Sequence, residues 1–411
     1  MTAGPFPELA KALPELEHCY LDLHRHPELA FAEHRTAEVG ARALRAAGCE
    51  VTTGIGGTGV VGVLRSGDGP TVLLRADMDG LPLREQTGLE YASTEVTDDG
   101  VPVAHACGHD MHVTWLLGAA RVLAGRREEW SGTVLFVLQP AEEHGGGAQA
   151  MVADGVFDRF GTPDVVLGQH VGPMPAGHVF TRPGLTMSAS DSVHVRMFGR
   201  GGHGSRPETT VDPVVLAAAT VLRLQTIVSR EVAATESAVV TVGALNAGSK
   251  DNVIPDEAEL QLSIRSFAEP VRTRVHEAVR RIVRAEAAAA GAPREPEFTE
   301  VDSYPATVND EAATESLTAR FREVFGERRV HPAPVVTGSE DFGVFGAACG
   351  APSVFWFVGG VDAERFAAAS EAGTAEQDVP SNHSPQFAPQ LHPTLSAGVE
   401  TLVAAALHHL D

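Results

Sequence analysis

TVLLRADMDGLP, residues 71–82, consists of a short apolar run that leads directly into two aspartates. Four further apolar runs are typical of buried strands: VVGVL (60–64), TVLFVL (133–138), VVLG (165–168) and SVFWFV (353–358). Helical patterns such as VTWLLGAARVLAG separate several of these runs, which favours crossover connections between parallel strands. The pattern therefore predicts an α/β fold built on a mainly parallel sheet.

Residues 187–300 have a different order of elements. Strand, helix, strand, strand, helix and strand patterns follow one another, from DSVHVRMF to EPEFTEV. This βαββαβ order is that of the ferredoxin-like split motif. We therefore expect an α/β domain formed by residues 1–186 and 301–411, interrupted by an inserted ferredoxin-like domain at 187–300.

The charge balance limits the partners of the chain. With 31 basic and 54 acidic residues, the formal net charge is -23, which argues against nucleic acid or an anionic membrane as a partner. An anionic substrate would need a local positive group. The N-terminus lacks a basic segment followed by an apolar one, and no run of about 18 apolar residues occurs, so we expect a cytoplasmic protein.

Polar side chains collect where the predicted strands end. Ligands of open α/β sheets bind beyond the carboxyl ends of the strands. The residues found there are carboxylates and a histidine from three strands: Asp77, Asp79, Glu142, Glu143 and His170. The segment HACGHDMH (105–112) lies in a connection that leads into a helix. One edge of the sheet thus gathers side chains of the kinds that bind metals.

Cys107 and His109 are candidate metal ligands. They are one residue apart, so both can face one point from a loop, and the following helix N-terminus would favour a thiolate. Sulfur, nitrogen and oxygen donors together suit Zn, Mn, Co or Ni better than Mg or Ca. A structural zinc site normally has paired cysteines, whereas the four cysteines here form no CxxC pair. The pattern favours a catalytic metal site.

Glu142 and Glu143 cannot easily share one task, because adjacent side chains of an extended chain point apart. One can hold a metal while the other accepts a proton from an attacking water. This division of labour is what metal-assisted hydrolysis requires. For Asp79 we expect a supporting role, in which it orients a ligand histidine or orders the metal site.

At these residues the sequence resembles the metal-dependent amidohydrolase branch of the aminoacylase and carboxypeptidase superfamily, which includes hippurate hydrolases, N-acetyl-diaminopimelate deacetylases and plant indole-acetyl-amino-acid hydrolases. The resemblance runs along the chain through HRHPELAFAEHRT, RADMDGLP, HACGHDMH, QPAEEHGGG, GRGGHGSRPE, NVIPDEAEL, GSEDF and NHSPQF. It implies that Glu142 is the general base. It also implies one or two divalent ions held by five ligands: Cys107, His109, Glu143, His170 and His383.

The resemblance further implies a homodimer formed through the inserted domain. In such a dimer His203, in GGHGS, would polarise the scissile carbonyl from the partner chain. Asn252 and Arg265 match positions that hold the substrate carboxylate. Arg265 alternates with the apolar residues of its strand and should therefore face away from their side of the sheet.

These features together predict hydrolysis of the amide bond of N-acyl amino acids to a carboxylate and a free amino acid. A peptidase or a carbamoyl-amide hydrolase on the same scaffold is the nearer alternative, and a silent binder of amino-acid conjugates the more distant one. GIGGTG (54–59) fits a dinucleotide fingerprint, but it precedes a strand instead of opening a helix. The absence of a G-x-S-x-G elbow argues against a serine hydrolase of the α/β type.

Overall fold

The computed structural model describes residues 5–410, which form two compact units. The first unit comprises the chain up to Thr186, Val308–Pro334 and the chain from Asp341 onward. The second comprises Met187–Thr307 and Val335–Glu340, so it continues past residue 300, where the sequence suggested a boundary. The last strand of the second unit reaches Tyr304, which explains the later end. Residues 1–4 and 411, at the ends of the predicted α/β domain, lie outside the described residues.

The helices and strands are numbered along the whole chain. The helices are α1 (Leu9–Arg25), α2 (His34–Ala46), α3 (His109–Gly125), α4 (Gly147–Ala153), α5 (Val156–Phe160), α6 (Pro213–Leu224), α7 (Thr226–Arg230), α8 (Glu269–Ala289), α9 (Glu311–Phe325), α10 (Gly343–Cys349), α11 (Ala363–Ala372), α12 (Ala375–Asp378) and α13 (Leu391–Leu410). The strands are β1 (Glu50–Ile55), β2 (Gly59–Ser66), β3 (Thr71–Asp77), β4 (Gly132–Gln139), β5 (Val165–Pro175), β6 (Val179–Thr181), β7 (Gly184–Met187), β8 (Ala189–Phe198), β9 (Gly202–His203), β10 (Ala238–Ala247), β11 (Val253–Ile254), β12 (Glu257–Ser266), β13 (Glu297–Tyr304), β14 (Thr307–Asn309), β15 (Val330–Pro332) and β16 (Ser353–Val361).

An eight-stranded sheet forms the centre of the first unit, in the order β1-β2-β4-β3-β5-β16-β6-β15. The four central strands, β4, β3, β5 and β16, run parallel, and their side chains are almost all buried. Strands β1 and β2 pair antiparallel at one side, and β6 pairs antiparallel with β16 at the other. The predicted mainly parallel α/β sheet is confirmed. Because the central strands are parallel, their carboxyl ends lie along one edge.

Helices α1, α3 and α13 cover the sheet with a continuous apolar core. Trp115 on α3 is fully buried and donates its indole N–H to the carbonyl oxygen of Thr394. The indole lies against Gly398 of α13, where an added Cβ would come within 2.0 Å of the ring. Only glycine allows α13 to approach α3 this closely, so the position of α3 depends on that contact.

The second unit is a four-stranded antiparallel sheet in the order β10-β12-β8-β13. Its core lies between one face of the sheet and helices α6 and α8. Asp191 of β8 is buried and accepts hydrogen bonds from Arg272 at 2.9 and 2.6 Å, which ties α8 to the sheet. The βαββαβ order predicted for this segment is confirmed, with the short strands β9 and β11 paired beside it.

A buried ion triad links α1, the loop after β3 and the first turn of α3. His24 lies 2.6 Å from Asp110 and 3.2 Å from Glu85, and all three side chains are at most 3% exposed. Burial alone would lower the pKa of His24, but the two carboxylates outweigh it and raise the pKa to about 9. His24 is therefore an imidazolium at neutral pH, clamped between two anions.

The raised pKa predicts a loss of stability in alkali. A histidine with a folded pKa near 9 and an unfolded pKa near 6.5 stabilises the fold fully below pH 6.5, and this contribution disappears as the pH rises through 9. It amounts to roughly 3 kcal/mol. His24→Gln should therefore unfold at a lower temperature than the parent at pH 6.5, and the difference should narrow by pH 10. Calorimetric unfolding of both proteins at the two pH values tests this, and a pH-independent difference would contradict it.

Candidate metal centre

Three neighbouring elements bring the candidate ligands to one edge of the central sheet. Strand β3 ends at Asp77, and β4 ends just before the loop that carries Glu142. His170 lies within β5, which continues to Pro175, and not beyond the end of its strand as the sequence suggested. Helix α3 begins at His109, so this ligand lies in the first turn of the helix instead of the preceding loop. Gly108 before it has φ 87°, and an added Cβ would lie 2.4 Å from the Val171 side chain. The glycine lets the HACGHD segment pass close to β5.

The five predicted ligands come together as two groups that share Cys107. One group is Cys107, His109 and His170, and the other is Cys107, Glu143 and His383; in each group the donor atoms lie within 4.8 Å of one another. The Cys107 Sγ atom lies 3.4 Å from His170 Nε2. Glu143 Oε2 lies 3.2 Å from His383 Nε2. The two groups are the arrangement expected for one or two ions around a common thiolate.

The chemistry of this pocket fits a divalent metal. Both ring nitrogens of His109 and Glu143 Oε1 are buried and have no hydrogen-bond partner among residues 5–410. Buried polar atoms without a partner are costly, and a bound cation would satisfy Glu143 Oε1 and one ring nitrogen of His109. His170 Nδ1 donates to the Val171 carbonyl oxygen at 2.7 Å, which leaves Nε2 with a lone pair toward Cys107. The donor set of thiol, imidazole and carboxylate suits a transition metal.

The titrating groups respond to the local excess of carboxylates. Burial, together with Glu143 and Glu142, raises the pKa of the Cys107 thiol well above its ordinary value. Burial would lower the pKa of His109, but Asp77, Asp79 and Glu143 raise it to about 10. At neutral pH the Cys107 thiol therefore keeps its proton and His109 is an imidazolium, and a bound cation would displace a proton from each.

Asp79 holds the two glutamates through their backbone. Its Oδ1 atom accepts a hydrogen bond from the Glu142 amide, and its Oδ2 atom accepts one from the Glu143 amide, both at 3.0 Å. The same carboxylate lies 3.4 Å from His109 Nδ1. Asp79 thus contacts a candidate ligand histidine and both glutamates, which supports the role expected for it.

Glu142 and Glu143 approach the same imidazole from adjacent positions. Glu142 Oε2 and Glu143 Oε1 each lie 3.8 Å from His109 Nε2. Glu143 also contacts His383, whereas the groups of donor atoms that contain Glu142 include neither Cys107 nor His383. Both glutamates can therefore act at one reaction centre with different partners.

Several residues that support this site were not singled out from the sequence. His112 donates through Nδ1 to Asp77 at 2.5 Å and accepts through Nε2 from the Val171 amide at 2.8 Å, which fixes the chain next to His170. Asp77 is held in turn by Arg75 at 2.6 Å. Arg75 was visible as a single charge within an apolar strand, and its burial to 1% exposure requires such a partner.

Asn382 joins the two ends of the site. Its side-chain amide donates to the carbonyl oxygens of Cys107 and Val171, each at 3.1 Å. The next residue, His383, has φ 69° and donates its amide to the Ala106 carbonyl oxygen at 2.8 Å. The position of Asn382 beside a ligand candidate in NHSP was the available signal.

The second unit carries the three remaining candidates. His203 is exposed on β9, and its Nδ1 accepts from the Ser205 amide at 3.1 Å, so Nε2 carries the proton in the neutral ring. Asn252 is exposed in the turn beside it, where its carbonyl oxygen accepts from the Gly204 amide. Arg265 is partly exposed, and its neighbours Leu262 and Ile264 are buried, as its alternation predicted.

Comparisons with known proteins agree on the family. Residues 73–381 match the family described as peptidase family M20/M25/M40. Hippurate hydrolase of Campylobacter jejuni is 40% identical over 343 residues, which cover 82% of this chain and 87% of that protein. Thermostable carboxypeptidase 1 of Saccharolobus solfataricus is 38% identical over 342 residues, covering 82% of this chain and 84% of that protein.

A solved structure extends the agreement to the fold. A dinuclear metal-binding peptidase of the M20 family from Bacillus subtilis superposes with a TM-score of 0.77 at 28% identity, covering 98% of this chain and 99% of that one. The resemblance seen in the sequence motifs is confirmed. The chain therefore belongs to peptidase family M20/M25/M40 and is a metal-dependent amidohydrolase.

Proposed function

We propose that this enzyme hydrolyses the amide bond of N-acyl amino acids, releasing a carboxylate and a free amino acid. The observation that carries the proposal is the pair Glu142 and Glu143, both 3.8 Å from His109, next to two ligand groups that share Cys107. The sequence identity of 40% with a hippurate hydrolase, over most of both chains, supports this substrate class. When bound at these ligands, Zn, Mn, Co or Ni supplies a Lewis acid that polarises the scissile carbonyl and lowers the pKa of water.

The residues of the chain divide the remaining work. Glu143 belongs to a ligand group with Cys107 and His383, whereas Glu142 is in neither group that contains Cys107, so we assign Glu142 to accept the proton of the attacking water and pass it to the departing nitrogen. Asp79 keeps the two glutamates in place through their amides. His203 presents a protonated Nε2, the group needed to stabilise the oxyanion of a tetrahedral intermediate.

Asn252 and Arg265 are the proposed contacts for the substrate carboxylate. The chain carries a net charge of -23, so an anionic substrate needs a local cation. The guanidinium of Arg265 is partly exposed and donates to the Thr337 carbonyl oxygen at 2.9 Å, which orients it without neutralising its charge. This arrangement suits an amino-acid product with a free carboxylate.

Peptide hydrolysis is the second candidate function. The identity of 38% to a thermostable carboxypeptidase favours it, and the chemistry required at the metal is the same. The two candidates differ in the group on the carbonyl side of the bond, which is an acyl chain in one case and an amino acid in the other. Carbamoyl amides are a further variant of the same reaction.

The substrate class can be tested with protein stripped by a chelator and restored separately with Mn, Zn, Co or Ni. We expect amine release from N-acetyl or N-benzoyl amino acids, with dipeptides and N-carbamoyl amino acids as matched comparisons. Faster release from dipeptides would assign a peptidase. Metal binding without release from any of the four substrate types would instead support the silent binder of amino-acid conjugates.

We infer a homodimer formed through the second unit. Strand β10 is an edge of its sheet, and Val239 on it is 48% exposed. On α6, Val215 and Leu222 are 65% and 73% exposed and lie seven residues apart, on one face of the helix. Exposed apolar side chains beside an open sheet edge are features of surfaces covered by another chain.

The dimer surface can be tested by a single charge. Leu222→Glu should shift the mass measured by light scattering from twice 43.2 kDa toward 43.2 kDa. Its matched control is Val301→Glu, at an exposed valine on β13 at the opposite edge of the same sheet. Because His203 would act in the active site of the partner chain, kcat should fall as the dimer dissociates. A parent protein that is already a monomer would contradict the proposal.

One described segment, Pro213–Arg230, meets the length and composition of a membrane span, and a third of it is buried. It comprises α6 and α7, and we assign its exposed apolar residues to the dimer surface. A single helix of this kind is weak evidence for a membrane.

All four cysteines are free thiols, which supports a reducing, cytoplasmic location.

A further inference from the structure

Three consecutive backbone amides of the catalytic loop, residues 140–146 between β4 and α4, donate to two buried carboxylates. Asp79 accepts those of Glu142 and Glu143, and Glu33 accepts that of Ala141 at 2.8 Å. Glu33 immediately precedes helix α2, and 108 residues separate it from Ala141. The loop that presents the proposed base and a proposed ligand is therefore held from outside its own sequence.

Ala141 has an unfavourable backbone conformation. Among the described residues other than glycine, only three have φ in the left-handed region: Phe31 at 60°, Ala141 at 49° and His383 at 69°. A residue with a side chain rarely adopts this backbone conformation, and the conformation persists only where neighbouring contacts enforce it. His383 is a proposed ligand. Phe31 and Ala141 donate their amides to the same oxygen, Glu33 Oε1, at 2.9 and 2.8 Å.

Glu33 is itself held firmly. Its side chain is fully buried, and its second oxygen accepts a hydrogen bond from the hydroxyl of Thr58. Thr58 belongs to the glycine-rich turn GIGGTG, for which the proposed reaction has no other use. The turn and the motif HPELAFAEHRT thus meet at one carboxylate next to the catalytic loop.

The loop closes tightly around Ala141. The amides of Gly146 and Gly147 approach the Ala141 carbonyl oxygen at 3.4 and 3.2 Å. An added Cβ on Gly147 would lie 1.6 Å from the Pro140 carbonyl oxygen, so the loop returns onto its own start. A change of φ at Ala141 would therefore redirect the chain that leads to Glu142 and Glu143.

We propose that Glu33 is a positioning residue of the hydrolytic site, which holds Ala141 in its left-handed conformation and thereby sets the directions of Glu142 and Glu143. The inference rests on the proposed function of those two residues. Glu33 does not reach the reacting atoms; it acts through the backbone of residue 141. Neither a charge nor a proton on Glu33 is required, only an oxygen that accepts the Ala141 amide.

Glycine at position 141 supplies the test. Glu33→Ala should lower kcat and metal affinity by about 10- to 100-fold, the range for losing a group that supports a metal site, with KM within about twofold. Ala141→Gly in that background should restore both by about fivefold or more, because glycine adopts the left-handed region without the penalty of a side chain. Glu33→Gln, which keeps the accepting oxygen, should stay close to the parent.

A matched control removes another carboxylate that, like Glu33, accepts two backbone amides. Glu28 accepts the amides of Arg35 and Thr36 at the start of α2, and its side chain makes no hydrogen bond to residues 139–147 among those described. Glu28→Ala should lower the melting temperature but leave kcat and metal affinity unchanged, with or without Ala141→Gly. If Glu33→Ala fails to fold, Thr58→Val loosens the same carboxylate and should show a smaller loss with the same rescue.

The two proposals fail in distinguishable ways. If the parent protein releases no amine, the proposed function is wrong, and metal affinity measured by calorimetry alone decides on Glu33. If Glu33→Ala keeps the parental kcat and metal affinity, or loses them without recovery from Ala141→Gly, the positioning role is overturned. Recovery by glycine together with an unaffected Glu28→Ala protein establishes it.

Discussion

Glu142→Gln is expected to lower kcat by about 10²- to 10⁴-fold while bound metal stays at the parental level. Glutamine keeps the shape of the side chain but cannot accept the proton of the attacking water. The Glu142 amide would still donate to Asp79, so the loop should keep its conformation. Metal analysis and steady-state kinetics on the same preparation give both quantities.

Glu143→Gln is the matched control for this prediction. Glu143 belongs to a ligand group with Cys107 and His383, so its loss should lower metal affinity first and kcat only as a consequence. Excess metal should then recover part of the activity of Glu143→Gln and none of that of Glu142→Gln. Near-normal turnover by Glu142→Gln would contradict the assignment of the base.

Replacement of Cys107 is expected to have the second large effect. Cys107 is common to both ligand groups, so Cys107→Ala removes a donor from each. Metal affinity should fall by more than about 100-fold, the upper range for losing a mere supporting contact. Isothermal titration of the stripped protein with each metal measures it.

Cys349→Ala provides the control, because this partly exposed free thiol lies outside the ligand groups found among residues 5–410. It should bind metal as the parent does. Parental metal affinity in Cys107→Ala would show that the thiol is not a ligand, and the pairing of the two groups would then be wrong.

The parts of the fold that the sequence predicts are those with strong local patterns. A short continuous apolar run such as 133–138 has the length of a buried strand. The carboxylates that follow such runs lie together because parallel strands end at the same edge of the sheet. The ligand candidates could be found for the same reason. The start of α3 at His109 was less accessible, because a left-handed Gly108 and its contact with Val171 fix it.

The supporting contacts of the site could not be predicted, because they join distant parts of the chain. Asn382 reaches Cys107 across 275 residues, and Glu33 reaches Ala141 across 108. His112 had no ligand motif, and its function became visible only through its two hydrogen bonds to Asp77 and Val171. No local periodicity encodes such pairs, so only the folded chain reveals them.

The most direct test of the central claim is a titration of the stripped protein with Mn, in which bound metal and amine release from N-benzoylglycine are measured in the same samples. We expect amine release to begin as the first ion binds and to reach its maximum when one or two ions are bound per chain. The ions would occupy one or both of the two ligand groups, which are Cys107, His109 and His170, and Cys107, Glu143 and His383. Full occupancy without release from any N-acyl amino acid, or undiminished release from protein free of metal, would contradict it.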